Sequence, residues 1–218
     1  MRVIIFGVTG MVGQSALREC LLDDKVQEIL TIGRKRTDQQ HEKLRQIELA
    51  NVADLSTIEQ EITGFDACFF CLGVSSAGMK EEEYRRITYD ITLSVADKLA
   101  RLNPQMTFIY VSGSGTDSSE KGRSMWARVK GNTENDLLRL PFKAAYMFRP
   151  GAIIPQYGIR SKTKVYQFFY DVMKPFYPLL MKLNGVISSE QLGKAMIKVA
   201  INGYPSPIIE SNKLKVIK

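Results

Sequence analysis

The chain predicts an α/β fold: a doubly wound parallel sheet with helices on both faces and a small C-terminal cap. Three observations carry this. Short apolar runs alternate with stretches that are apolar at helical spacing. The first run, Val3-Ile4-Ile5-Phe6, stops at a glycine turn, Gly7-Val8-Thr9-Gly10-Met11-Val12-Gly13. A later run, Ala67-Cys68-Phe69-Phe70-Cys71-Leu72, is apolar without a break, as a central strand covered on both faces should be.

The opening segment sets the rest. Behind the turn, Val12, Ala16, Leu17, Cys20 and Leu21 fall on one helical stripe. Strand, glycine turn and helix in that order form the first half of a βαβ nucleotide site. Glycine allows a sharp turn, close approach of backbone to pyrophosphate, and tight seating of helix on strand. The helix start then aims its N–H groups and the positive end of its dipole at the phosphates. The spacing G-x-x-G-x-x-G is one residue longer in its first interval than the G-x-G-x-x-G dinucleotide fingerprint. Gly7, Thr9, Gly10, Met11, Val12 and Gly13 are therefore the candidate phosphate contacts; a tight turn without a ligand is the alternative.

Ile29-Leu30-Thr31-Ile32 reads as the second strand, ending at Gly33-Arg34-Lys35-Arg36. In sites for NAD an acid about 20 residues beyond the glycines holds the ribose 2′-hydroxyl. Here three cations stand in its place. An Arg fork grips a 2′-phosphate that a carboxylate would repel. The pattern points to NADP(H) over NAD(H), with Arg34 first and Lys35 second; ordinary surface charge is the alternative. Thr37 to Arg45 is expected to hold a loop and short helix, and Ile47-Glu48-Leu49 a third strand. Asp54-Leu55 has two readings of equal weight, a contact to the adenine edge or a cap on a helix from Leu55 to Ile62.

The apolar run at Ala67 ends in Gly73 and a small-residue loop, Val74 to Gly78. Ligands of open α/β sheets bind beyond the carboxyl ends of the strands, which places Cys71, Leu72 and Gly73 at the cofactor's ribose and nicotinamide. A helix follows from about Glu81 to Leu102, its stripe Tyr84, Ile87, Ile91, Val95, Leu99 and Leu102 facing the core or a dimer contact. Met106 to Val111 is the fifth strand and leads into Ser112-Gly113-Ser114-Gly115. A helix from about Ser124 to Leu140 carries Trp126 and Lys130, and Phe142 to Phe148 is the sixth strand.

After Arg149-Pro150-Gly151 the composition turns aromatic: Tyr166, Phe168, Phe169, Tyr170, Phe176 and Tyr177, with Pro175 and Pro178. This reads as a cap over the substrate, with an apolar patch for a membrane surface or protein partner as its rival. Ser188-Ser189-Glu190-Gln191 is a capping box opening a helix to about Ala200. Ile208-Ile209 and Leu214 to Ile217 are expected to be extended. We read residues 1–218 as one domain, a core to about 150 and a cap with closing elements beyond it.

Composition narrows the function. Charge is +7 over 218 residues, which permits nucleic acid or an anionic surface as partner. No zinc spacing, RNA-binding aromatic motif or helix-turn-helix accompanies it, so nucleic acid is not expected. No apolar run approaches a membrane span, and the first strand begins almost at Met1, which argues against a secretory signal. Cys20, Cys68 and Cys71 sit in apolar segments and read as reduced thiols of a cytoplasmic protein. Cys68 and Cys71, three apart on a strand, face opposite sides and are neither a metal pair nor a redox pair. With His41 the sole histidine, no metal site is expected.

Taken in order, Gly7-x-x-Gly10-x-x-Gly13, Gly33-Arg34-Lys35, Cys71-Leu72-Gly73, Ser112-Gly113-Ser114-Gly115, Lys130-Gly131-x-x-Glu134, Phe148-Arg149-Pro150-Gly151 and Gln191-Leu192-Gly193-Lys194-Ala195-Met196 match a known family. Over essentially its whole length the chain resembles the atypical branch of the short-chain dehydrogenase/reductase superfamily, near the Tat-interacting-protein oxidoreductases, and NAD-dependent epimerase-like proteins. The resemblance implies a Rossmann-like NAD(P)-binding fold and a Ser, Tyr, Lys active site. In it the lysine grips the nicotinamide ribose and lowers the tyrosine pKa, the tyrosine moves the proton, and the serine holds the carbonyl.

Carried over, Lys130 takes the lysine position, Ser112 or Ser114 the serine, and Pro150 and Gly151 line the cofactor. The tyrosine position holds Trp126. An indole N–H donates a hydrogen bond but offers no phenolic proton, and general acid–base catalysis is worth about 10²–10⁴ in rate. Tyr157, Tyr110, Asp117 or a water held by Ser114 are the substitutes to consider. Two readings follow: an NADP(H)-dependent reductase or epimerase-like enzyme with an unconventional proton route, or a non-catalytic NADP(H)-binding regulator or scaffold. The substrate is an unidentified small molecule, and the chain is expected to be monomer or homodimer, with a protein partner in the second reading.

Overall fold

The computed structural model describes residues 1–159 and 172–217. Seven strands form one sheet, all of whose neighbours run parallel: β1 (Arg2–Phe6), β2 (Glu28–Gly33), β3 (Leu44–Glu48), β4 (Ala67–Phe70), β5 (Thr107–Val111), β6 (Ala144–Arg149) and β9 (Ile208–Glu210). Their order is β3-β2-β1-β4-β5-β6-β9. Order reverses beside β1, and an open α/β sheet binds its ligands at that switch point. A separate parallel pair joins β7 (Ala152–Ile154) to β8 (Val186–Ser188).

Alternation along each strand fills two cores. On one face Val3, Ile5, Phe69, Ile109 and Phe148 are sealed by α1 (Met11–Leu22) and α6 (Ser189–Asn202), through Ala16, Leu17, Cys20, Leu192 and Met196. The two helices cross closely, since a β-carbon on Gly193 would lie 2.6 Å from Glu19 Cγ. On the other face Ile4, Phe6, Phe70 and Phe108 meet α3 (Ile91–Leu102) and the end of α4 (Met125–Leu137). Phe108 stacks on Phe142 at 4.9 Å between ring centroids. Cys68 and Cys71 serve opposite cores, as their spacing requires, and all three cysteines are free.

The expected helix over 81–102 is present but not uniform. Its first turn, α2 (Glu81–Arg85), passes through a π turn at Arg86–Asp90 before α3 begins. Three further expectations are corrected. Between Thr37 and Lys43 there is no helix, and Gln46 instead ties the loop to β3, its side chain bonding the backbone of Thr37 and Gln39. Leu55 to Ile62 is a single 3₁₀ turn (Ser56–Ile58) followed by turns; its β-branched Thr57, Ile58, Ile62 and Thr63 disfavour a longer helix. Leu214 to Ile217 is not extended, because α7 (Ser211–Leu214) and a turn occupy it. The capping box is formed: Ser188 accepts from the Gln191 N–H and the Gln191 side chain accepts from the Ser188 N–H, each at 3.0 Å. Tyr166, Phe168, Phe169 and Tyr170 of the expected cap lie outside the described residues.

Candidate dinucleotide site

The sheet's register lines up Phe6, Phe70, Tyr110 and Met147, so the loops after four adjacent strands leave it at one level. Two clusters of candidate residues gather there. The first is the glycine turn. Gly7 has φ of +82°, and a β-carbon on it would lie 2.7 Å from the backbone of Cys71 and Leu72. A β-carbon on Gly13 would lie 2.2 Å from the Gly7 carbonyl oxygen. Side chains are thus excluded on both sides, one for the neighbouring loop and one for the seating of the helix. Gly10 is the N-cap of α1, and its N–H bonds Gly7 O at 2.9 Å. No side chain caps the helix and no acid occupies its first turn, so backbone N–H groups and a bare dipole end face outward. This is the arrangement a pyrophosphate requires.

Arg34, Lys35 and Arg36 are exposed directly beyond β2, and they make no hydrogen bond or ion pair among the described residues. Asp54 accepts from the Ser56 N–H at 3.0 Å, a turn cap; the Ser56 side chain first, and that N–H second, hold its pKa below the ordinary value. Leu55 is buried beneath it in the core.

The second cluster joins β5, α4 and β6. Lys130, one turn beyond Trp126, donates from Nζ to the carbonyl of Ser112. Burial pushes its ammonium down to about 8, against the upward pull of Glu134. The Ser114 N–H donates to Pro150 O at 2.8 Å, which draws the Ser112–Gly115 loop to the end of β6. Trp126 packs over Gly115, where a β-carbon would lie 3.3 Å from its ring. A β-carbon on Gly151 would lie 2.1 Å from the Gly185 carbonyl oxygen, so this position too admits no side chain.

A buried ion pair at this point was not read as such from the sequence. Glu134 is fully buried and accepts from Arg149 Nε at 3.1 and 3.2 Å, while Arg149 Nη1 reaches Glu210 at 3.2 Å. Ser112 Oγ donates its one proton to Glu134 at 2.5 Å and lies 3.2 Å from Phe148 O. Its hydroxyl is spent on the scaffold, whereas Ser114 is exposed with an uncommitted one. The signal was present in two of the quoted motifs, Lys130-Gly131-x-x-Glu134 and Phe148-Arg149, but nothing in their spacing links them.

The other proton sources are placed as follows. Tyr110 is buried, and desolvation raises its pKa far above the ordinary value. The Asp117 carboxylate accepts from Ser119 and from the Gly122 N–H within its own loop. Tyr157 lies under Arg18, 3.7 Å from ring to guanidinium, and donates to Glu190 at 2.9 Å.

Sheet order and glycine cradle define a Rossmann-like nucleotide-binding protein. Residues 3–124 match the NAD dependent epimerase/dehydratase family, and the chain belongs to that family. It is 31% identical to Protein FMP52-2, mitochondrial, of Scheffersomyces stipitis, covering 98% of this chain and 91% of that one. It is 27% identical to Protein HTATIP2 of Rattus norvegicus, covering 70% and 62%. The fold also resembles the Bordetella bronchiseptica enzyme WbmF, solved in complex with NAD+, at a TM-score of 0.68, 15% identity, and coverage of 96% and 72%. The cytoplasmic location expected from the thiols is corrected by these relatives, since three fungal ones are named mitochondrial. Reduced cysteines mark a reducing compartment and do not choose among several.

Proposed function

We propose that this protein binds NADP(H) and acts as an atypical short-chain dehydrogenase/reductase or epimerase-like enzyme, with weak or specialised oxidoreductase activity on a carbonyl or alcohol. The observation that carries the reading is a side-chain-free phosphate cradle with three exposed, unpaired cations at the end of the adjacent strand β2. A third phosphate on the adenosine ribose would find Arg34 and Lys35 there, where an NAD site places an acid. The names of the fungal relatives support a mitochondrial setting.

When bound, the dinucleotide supplies hydride transfer at its nicotinamide ring. Lys130 is the residue to hold the ribose. Its lowered pKa lets the free amine and the ammonium interchange near neutral pH, so it can pass as well as hold a proton. Ser114, rather than Ser112, presents the hydroxyl for a substrate oxygen. Trp126 packs on Gly115 and has only an indole N–H to offer, which can donate a hydrogen bond but carries no acid–base proton; the proton then comes from water.

A non-catalytic, NADP(H)-binding regulatory role is the second reading. It is favoured by the engagement of Ser112, Tyr110, Asp117 and Tyr157 elsewhere. Calorimetric titration with NADPH and NADH, followed by NADPH oxidation over a panel of aldehydes and ketones, decides between them. Tighter binding of NADPH with turnover supports the enzyme; tight binding without turnover supports the regulator. Equal or tighter binding of NADH would overturn the cation argument.

A further inference from the structure

We propose that residues 172–183 form a docking face for an anionic lipid surface. Val172, Phe176, Leu179 and Leu183 are 55%, 54%, 64% and 55% exposed. Their spacing, i, i+4, i+7 and i+11, places them on one side of a helical segment, here the 3₁₀ turn Lys174–Phe176 and the helix α5 (Tyr177–Leu180) with its flanks. The opposite side is apolar as well: Met173, Tyr177, Leu180 and Met181 are half-buried. A helix apolar on one side satisfies itself by packing on its own domain. One apolar on both sides, with a stripe left in water, requires a second apolar phase.

Charge selects that phase. No Asp or Glu occurs from Val172 to Ser189. Lys182 is exposed beside the stripe and makes no ion pair among the described residues. Lys215 donates to the carbonyl of Leu183 at 2.9 Å and also to that of Met181, setting a cation at the end of the segment. Apolar side chains flanked by cations match an interface where acyl chains lie beneath anionic headgroups. No helix among the described residues is long and apolar enough to cross a membrane. A protein partner or a second copy would be held by the same apolar stripe without the need for an acid-free, lysine-bearing border.

Flotation of the full chain with vesicles tests this. Vesicles of phosphatidylcholine with about a third phosphatidylserine should carry the protein, whereas pure phosphatidylcholine should carry much less. High salt should release part of the bound fraction. Phe176→Glu combined with Leu179→Glu should lower partitioning by about a hundredfold, while dinucleotide titration and circular dichroism show the variant folded. Leu179→Ala, a milder change, should reduce partitioning without any risk to folding. Failure of the unaltered protein to float, or undiminished flotation of the folded double variant, would overturn the proposal. So would a stable dimer in light scattering that the same substitutions dissociate, since the stripe would then belong to a second copy.

Discussion

Gly13 has no room for one more carbon. A methyl there would sit 2.2 Å from the Gly7 carbonyl, and both partners are backbone, so the turn itself must move. Gly13→Ala is expected to cost about 1–3 kcal/mol of stability and to abolish dinucleotide binding, as read by urea denaturation and calorimetry. Arg34 behaves differently, being exposed and unpaired. Arg34→Ala should leave stability unchanged and weaken NADPH roughly tenfold or more, the worth of a charge-assisted hydrogen bond. NADH binding should be unaffected. Lys130 introduces a pH dependence. Its pKa falls to about 8 in the folded chain from an ordinary 10.5, so between those values the unfolded state holds the extra proton. Stability from this group therefore rises with pH across that window, and the cost of its burial is fully felt below it. Lys130→Met should flatten that slope in urea midpoints taken at about pH 7.5 and about pH 9.5.

Between elements, the buried pair of Glu134 with Arg149 ties α4 to β6 and through Glu210 to β9. Removing the acid leaves a guanidinium buried with only the more exposed Glu210 as a counter-charge. Glu134→Ala should cost about 3–5 kcal/mol, and would also free the Ser112 hydroxyl. Ser188→Ala, at the start of α6, should cost about 1 kcal/mol through loss of the cap. How well elements could be read depended on length. The strands of the sheet centre and the long helices were visible, because burial on both faces and a sustained stripe leave strong patterns. The π turn at Arg86–Asp90 was not, since it shifts the stripe by one residue without breaking it. Leu55, Ile58 and Ile62 have helical spacing, and all three are buried, yet one tight turn suffices to bury them.

For the molecule as a whole, the doubly wound parallel sheet followed from the alternation of elements and the placing of the glycine turn, while the strand order came from the structure. The glycine turn could be read because its close backbone approaches admit no side chain, a requirement written directly in the sequence. The proton-handling half could not. Whether Ser112 or Ser114 faces the crevice depends on a hydrogen bond to Glu134 that comes from a helix and serves an arginine from the next strand. Location was misread for a simpler reason, as thiol chemistry is shared by several compartments.

β9 completes the sheet, and Ile208, Ile209 and Glu210 pair with Met147, Phe148 and Arg149. The strand that covers the β6 edge is thus drawn from the last dozen residues of the sequence, far from its neighbour along the chain. During synthesis the nascent sheet must wait with an open, apolar border until those residues emerge from the ribosome. A premature stop before Ile208 would leave that border uncovered for good, and such a product should clump through strand addition rather than persist as a shortened but soluble binder.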